Sequence, residues 1–149
     1  PFAQIRYVTT AQLHASRTSM ATDEQFIKSF YDDYLAAFHS LDTSSVARFY
    51  SPPCLFIGDA GSRLMRDSAE VEAFFAGVID DLERKNYDYS EIRDLRVEML
   101  SSRLALVRGL AVRHAKDATE LERLRAVYTL RKEVSDWKFV TAVAYPTDD

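Results

Sequence analysis

The chain has 149 residues, a length that fits one domain. Hydrophobic residues make up 47% of it and charged residues 28%, which is typical of a folded globular protein and excludes collagen-like or disordered chains. The net charge of −4 disfavours a nucleic-acid partner. A single cysteine, Cys54, excludes an intrachain disulfide and a cysteine-cluster metal site, so we expect it to be a small buried hydrophobe. Because no apolar run approaches the roughly 20 residues that span a bilayer, we expect no membrane association and a cytoplasmic location.

The first methionine of the chain is Met20. We expect residues 1–21 to be an N-terminal extension, either part of a longer reading frame or added in cloning. Residues 22–149 are then expected to form a single domain. Within the extension, residues 5–10 have the composition of a short strand.

Two long amphipathic helices are predicted in the first half of the chain. Thr22–Gln25 is typical of a capping box, and apolar residues recur after it in steps of three and four, which predicts a helix over residues 23–40. A second capping pattern begins at Asp67, and the stripe after it predicts a helix over residues 68–85.

A short helix and a hairpin are predicted between these two helices. Asp42 or Thr43 caps the short helix, and we expect Pro52–Pro53 to end it because proline cannot donate to a continuing helix. The apolar run at residues 54–57 predicts a buried strand, and residues 63–65 predict a small return strand.

The pattern changes to strands after residue 86. The predicted strands cover residues 89–99, 103–115, 121–134 and 137–145. Short polar connections between them indicate an antiparallel meander. Three helices followed by four long strands predict an α+β fold, in which the helices cover one face of a curved mixed or antiparallel sheet.

Taken in order, these segments resemble the nuclear transport factor 2-like superfamily, which includes SnoaL-like polyketide cyclases, ketosteroid isomerase and scytalone dehydratase. The residues that carry the resemblance are Tyr34–Phe38, Asp42, Val46–Ser51, Leu55–Ile57, Met65–Val71 and Trp137–Val140. They span about residues 22–146. The resemblance implies a cone-shaped α+β barrel whose open end admits a small, mostly apolar molecule. It also implies a homodimer through the outer sheet face, and no metal or organic cofactor.

Tyr34 and Asp59 are the first two candidates for catalysis. Tyr34 lies on the apolar stripe of the first long helix, where a gapless comparison places the oxyanion tyrosine of ketosteroid isomerase; alternatively, it is a core tyrosine. Asp59 follows the first core strand, where related proteins often place an acid. The same comparison puts Gly58, one residue earlier, at the position of the isomerase base, and the alternative for Asp59 is a turn aspartate.

Arg108 and His114 lie on the strand that would supply the second oxyanion donor. The isomerase uses an aspartic acid there, but Leu104–Val112 contains no acid. An inward Arg108 would bind an anionic or carbonyl group beside Asp59 or Glu98, and an outward one would lie on the dimer face. His114 is a candidate acid or base, or else an exposed strand-end residue.

Ligand contacts are expected from aromatic residues on the helices and strands. We expect Phe38, Phe56, Tyr128 and Trp137 to line the pocket together with Arg108, with core packing as the alternative for the aromatics. The charged residues of the strands alternate in sign and predict a solvated face; they are Arg113, Asp117, Glu120, Glu122, Arg123, Arg125, Arg131 and Glu133.

The sequence is consistent with two functional interpretations. The first is a cofactor-independent acid–base enzyme acting on a small apolar cyclic substrate, of the isomerase, cyclase, dehydratase or epoxide hydrolase type. The second is a dimeric module that binds an apolar ligand or a partner protein without turnover.

Overall fold

The computed structural model describes residues 10–149, with side chains for residue 17 and residues 19–149. Three helices come from the first half of the described chain: α1 (Thr10–His39), α2 (Thr43–Ala47) and α3 (Ser68–Arg84). The strands are β1 (Tyr50–Gly58), β2 (Gly61–Met65), β3 (Tyr87–Met99), β4 (Leu104–Ala115), β5 (Glu120–Glu133) and β6 (Asp136–Pro146). The strand predicted at residues 5–10 lies outside the described residues, except for Thr10, which begins α1.

The six strands form one curved, unclosed sheet in the order β2-β1-β6-β5-β4-β3. Strands β3 to β6 form the predicted antiparallel meander. The early hairpin joins the sheet differently, because β1 pairs parallel to β6 and antiparallel to β2. The α+β class and the mixed sheet covered by three helices are confirmed.

The predicted start of the first long helix is wrong. α1 begins at Thr10, so Thr22–Gln25 lies inside the helix instead of at its start. Residues 10–21 contain neither glycine nor proline, so nothing in their sequence interrupts a helix. Asp23, expected in the capping turn, is instead buried and binds Lys132 of β5, with 2.8 Å between carboxylate and ammonium. In the described part of the chain, neither α1 nor another helix is long and apolar enough to cross a membrane.

Strand β1 also begins earlier than predicted. Pro52–Pro53 does not end the short helix, since α2 already ends at Ala47 and both prolines lie within β1. The pairing of β1 with β6 is irregular between Tyr50 and Leu55, so no regular ladder bond is required of the prolines there.

Helix α3 follows its sequence signals closely. The carboxylate of its N-cap, Asp67, accepts a hydrogen bond from the Glu70 backbone N–H at 2.9 Å. Glu70 in turn accepts from the Arg66 backbone N–H at 2.7 Å. After the helix, Asn86 takes a positive φ of 60° and turns the chain into β3.

An aromatic cluster joins the helices to the concave face of the sheet. Its centre is Phe139 of β6, which is fully buried. The rings around it lie 4.5–6.4 Å away between centroids and come from Phe30, Tyr31, Tyr34, Tyr50 and Tyr128. Three of these rings belong to α1, so this packing fixes α1 across the sheet.

We expect Asp23→Ala to lower the free energy of unfolding by about 1–3 kcal/mol, because it leaves the Lys132 ammonium without its buried partner. Urea denaturation measures this loss. Glu24→Ala is the control, since Glu24 pairs with Lys28 at the surface and should cost less than about 1 kcal/mol. Equal losses would mean that Asp23 does not fasten α1 to β5.

Candidate functional site

A cavity of about 480 Å³ lies between the concave face of the sheet and helices α1 and α3. Phe38 and Tyr34 of α1 and Phe74 of α3 form part of its wall. Phe56 of β1 packs on Phe74, with ring centroids 4.7 Å apart. The walls are therefore mainly aromatic.

Four alanines create the room for this cavity. Ala111, Ala126, Ala142 and Ala144 line it from strands β4, β5 and β6. Ala142 and Ala144 are two residues apart, and side chains alternate between the faces of a strand, so both point to the same face. Each methyl group stands where a larger residue would fill space.

The closed end of the cavity carries phenol groups. The hydroxyls of Tyr34 and Tyr50 form a hydrogen bond of 2.8 Å, and both side chains are buried. Tyr128 lines the cavity beside them, with its ring centroid 6.0 Å from that of Tyr34. Tyr31 packs against Tyr128 from α1, at 5.8 Å between centroids.

Burial keeps these phenols protonated. It raises the pKa of Tyr34, Tyr50 and Tyr31 well above the ordinary value, and nearby Tyr128 raises them further. Burial also raises the pKa of Tyr128. At neutral pH the closed end is therefore uncharged and offers hydroxyl donors.

The mouth of the cavity is charged instead. Arg113 of β4 donates to Glu122 of β5 at 2.7 Å, and both are only partly exposed. Lys85, just after α3, binds Asp81 at 2.7 Å and reaches Glu122 at 3.9 Å. These contacts form one network, in which the hydrogen bond that Lys85 donates to Asp81 lowers the pKa of the Asp81 carboxyl group. An amphipathic molecule would fit between this mouth and the phenols.

The structure brings four of the sequence-predicted residues into the cavity wall. They are Tyr34, Phe38, Phe56 and Tyr128. What they do with a ligand stays a prediction.

Asp59 does not join them. It lies exposed in the turn after β1, away from the cavity lining, so the structure does not pair it with Tyr34. Phe56 faces the cavity, and Gly58, two residues on, lies on the same face against the Ala144 carbonyl. At the end of β1, the residue that faces the cavity is therefore Gly58, which has no side chain that could act as a base.

His114 points to the convex face of the sheet. Its ring stacks on Tyr89 at 4.7 Å between centroids, and its Nε2 lies 3.8 Å from the Glu91 carboxylate. Neither ring nitrogen has a hydrogen-bond partner in the described part of the chain. The structure thus separates His114 from the cavity by the sheet itself, and does not support it as the acid or base there.

Arg108 and Trp137 lie outside the cavity as well. Arg108 is exposed on the convex face beside Val127, and no carboxylate of residues 19–149 pairs with it. Trp137 is buried and lines a separate cleft with Asp23 and Phe49, where the Lys132 ammonium lies 5.9 Å from its ring centroid.

The expectation of one solvated charged face on β4 and β5 is partly wrong. Arg113 and Glu122 face the cavity, while Arg123 and Arg125 point away from it. Alternation could have found this, because Glu122 shares its parity with the cavity residue Tyr128. The sequence analysis also missed Tyr50, Asp81 and Lys85, which only tertiary packing brings together. In residues with described side chains, no three His, Cys, Asp or Glu residues cluster in a way that could hold a metal ion.

A family model described as "NTF2-like protein (DUF6841)" matches residues 23–147. The chain therefore belongs to the NTF2-like family, and the resemblance stated from its sequence is confirmed. A search of the curated proteins finds no significant match.

Solved structures support the same fold. An NTF2-like protein with a cystatin-like fold from Novosphingobium aromaticivorans has a TM-score of 0.75 and 15% identity, covering 96% of this chain and 93% of that one. A ketosteroid isomerase-like protein from Erwinia carotovora atroseptica has a TM-score of 0.64 and 17% identity, covering 85% and 98%. A proposed dehydratase of the NTF2-like family from Streptomyces avermitilis has a TM-score of 0.69 and 14% identity, covering 87% and 99%. At these identities the likeness concerns the fold.

The buried phenols predict a loss of stability in alkali. Unfolded tyrosines ionise near pH 10, whereas Tyr31, Tyr34 and Tyr50 keep their protons in the folded chain. Stability is therefore fully present below about pH 10 and falls as pH rises above it, by up to about 1.4 kcal/mol per pH unit for each phenol. Urea unfolding between about pH 8 and 11 measures this slope.

Tyr34→Phe should make the alkaline slope shallower by up to about 1.4 kcal/mol per pH unit, because one buried phenol is gone. The control is Phe75→Leu, which alters the same buried cluster without removing a hydroxyl and should leave the slope unchanged. Parallel slopes for wild type and Tyr34→Phe would contradict the assignment.

Proposed function

We propose that this NTF2-like protein binds a small, mainly apolar ring compound in the cavity between α1, α3 and the sheet. The observation that carries the proposal is the cavity of about 480 Å³ itself, with aromatic walls, neutral phenols at one end and charges at the other. Protein sites for small molecules are commonly concave and mainly apolar, with a few polar groups that orient the ligand.

The lining suggests how such a compound would sit. Phe56 and Phe74 offer ring surfaces for its body. The Tyr34–Tyr50 pair uses one hydroxyl hydrogen for the bond between the two residues. Tyr128 also interacts with Tyr34 and Tyr31, so these four phenols share three contacts, and the one remaining hydroxyl hydrogen can be donated to a ligand oxygen at the closed end. A ring ketone matches this pattern of apolar body and single acceptor.

A second candidate function is cofactor-independent acid–base catalysis, of the isomerase, cyclase, dehydratase or epoxide hydrolase type. The Tyr34–Tyr50 pair favours it, since a buried donor stabilises a developing oxyanion strongly. The carboxylates of the lining favour binding without turnover, because Asp81 and Glu122 are both engaged by cations. Lys85 also lowers the pKa of Asp81, which makes that carboxylate a weaker base.

Filling the cavity tests the proposal. We expect wild type to bind 2-acetylnaphthalene, a neutral ring ketone, and Ala144→Phe to weaken binding about tenfold or more because the new ring occupies the site. Titration calorimetry measures both constants. Ala73→Phe places the same side chain on the exposed face of α3 and should bind like wild type. Equal affinity in all three proteins, or no binding to wild type, would contradict the proposal.

We further propose that the convex face of the sheet pairs with a second copy of the chain. Apolar side chains cluster there, and they are Leu55, Ile57, Leu64, Val127 and Val143. Leu64 is 50% exposed, and it is the contiguity of these apolar side chains that is typical of an interaction surface. Asp94, Arg96 and Arg108 border the patch with charges of both signs. A two-fold interface must be complementary to itself, and an apolar centre with mixed charges beside it satisfies that condition.

Sedimentation at tens of micromolar should therefore give a dimer mass for wild type and a monomer mass for Val127→Asp, since a carboxylate would be buried in the interface. Val134→Asp makes the same change in the fully exposed β5–β6 turn and should remain dimeric. A monomer mass for wild type would refute the proposal.

A further inference from the structure

The mouth of the cavity carries equal numbers of positive and negative side chains. Two cations line it, namely Lys85 and Arg113. Two carboxylates face them, Asp81 and Glu122. These four charges lie at the open end of an otherwise apolar and neutral cavity.

Every carboxylate oxygen of the mouth already faces a cation. The two oxygens of Asp81 lie 2.7 Å from Lys85 Nζ and 3.7 Å from Arg84 Nη2. The two oxygens of Glu122 lie 2.7 Å from Arg113 Nη1 and 3.9 Å from Lys85 Nζ. A cationic ligand group that approached these oxygens would also meet the cation that lies beside each of them.

The cations, in contrast, keep unused donors. Arg113 has five N–H groups, and its contact with Glu122 uses Nη1. Its Nε and Nη2 groups make no hydrogen bond with the described part of the chain. Lys85 has three N–H donors, of which Asp81 engages one at close range. Both residues line the cavity, so a ligand group entering the mouth can reach these donors.

We infer that the ligand of this cavity is an aromatic or alicyclic carboxylic acid, whose carboxylate binds Arg113 and Lys85 at the mouth. A single carboxylate can accept from the unused donors of both residues, whereas a phosphate monoester would bring close to two negative charges beside Asp81 and Glu122. The planar guanidinium of Arg113 fits a carboxylate in geometry as well as in charge. The ring body then lies against Phe56 and Phe74. This inference rests on the proposed binding function and adds the charge of the ligand.

A matched pair of probes separates the contribution of the ligand charge to the affinity from the contribution of its ring. 2-Naphthaleneacetic acid and 2-naphthaleneacetamide have the same ring system and nearly the same shape, but only the acid is anionic at pH 7. We expect wild type to bind the acid about tenfold or more tightly than the amide, because a charge-assisted hydrogen bond is worth at least that factor. Titration calorimetry with both probes measures the ratio.

Arg113→Gln combined with Glu122→Gln removes the pair without leaving an unpaired charge. We expect the acid and the amide to bind this double variant within about threefold of each other. Lys85→Gln changes an exposed residue, which keeps the test informative if the double variant does not fold, and should reduce the acid preference several-fold. Arg108→Gln makes the same Arg-to-Gln change on the convex face and should retain the wild-type ratio.

Each result decides the inference. A lost acid preference in the double variant or in Lys85→Gln, with the preference kept in Arg108→Gln, supports it. Equal binding of acid and amide to wild type overturns it and leaves the proposed binding function standing. An acid preference that survives in both Lys85→Gln and the folded double variant overturns it too, because the carboxylate then binds elsewhere. Binding of neither probe contradicts both the inference and the proposed function.

Discussion

The packing of aromatic rings around Phe139 is the interaction on which the rest of the structure depends. Phe139 of β6 is fully buried beneath α1, 4.8 Å from the Tyr34 ring and 4.5 Å from the Tyr128 ring between centroids. These rings close one end of the cone, so the cavity has a floor of phenols instead of running through the molecule. Because the same rings hold the hydroxyls of Tyr34 and Tyr50 in place, core packing and the polarity of the cavity are determined together.

Local sequence signals predicted most of the helices and strands. The predictions failed where tertiary contacts, which the local sequence does not show, determine the structure. α3 could be read almost residue by residue, since Asp67 caps it and Asn86 ends it. The start of α1 could not, because Thr22–Gln25 has the pattern of a cap while the residues before it also tolerate a helix. Nor does any local signal show that β1 runs parallel to β6, since the two strands are far apart in the chain.

The candidate site was also predictable only in part, because local sequence signals show some of its residues and tertiary contacts determine the others. Tyr34 and Phe56 could be placed on an inward face by periodicity alone. Asp59 could not, because a shift of one residue at the end of a strand separates a cavity side chain from a turn. The charged mouth depends on contacts between α3 and the β4–β5 pair, and Lys85 and Glu122 meet across that gap. Sequence spacing carries no information about such a meeting.

The parallel pairing of β1 with β6 also limits when, during synthesis, the domain can finish folding. Phe56 lies beside Ala142, although the two residues come from opposite ends of the domain. Contacts of such long sequence separation form late, because much of the chain must be ordered before the two strands can meet. During synthesis, β6 leaves the ribosome after the other five strands of this sheet, and until then the apolar faces of α1 and β1 lack their covering strand. The cavity therefore cannot exist in a nascent chain, and only the finished domain can hold a ligand.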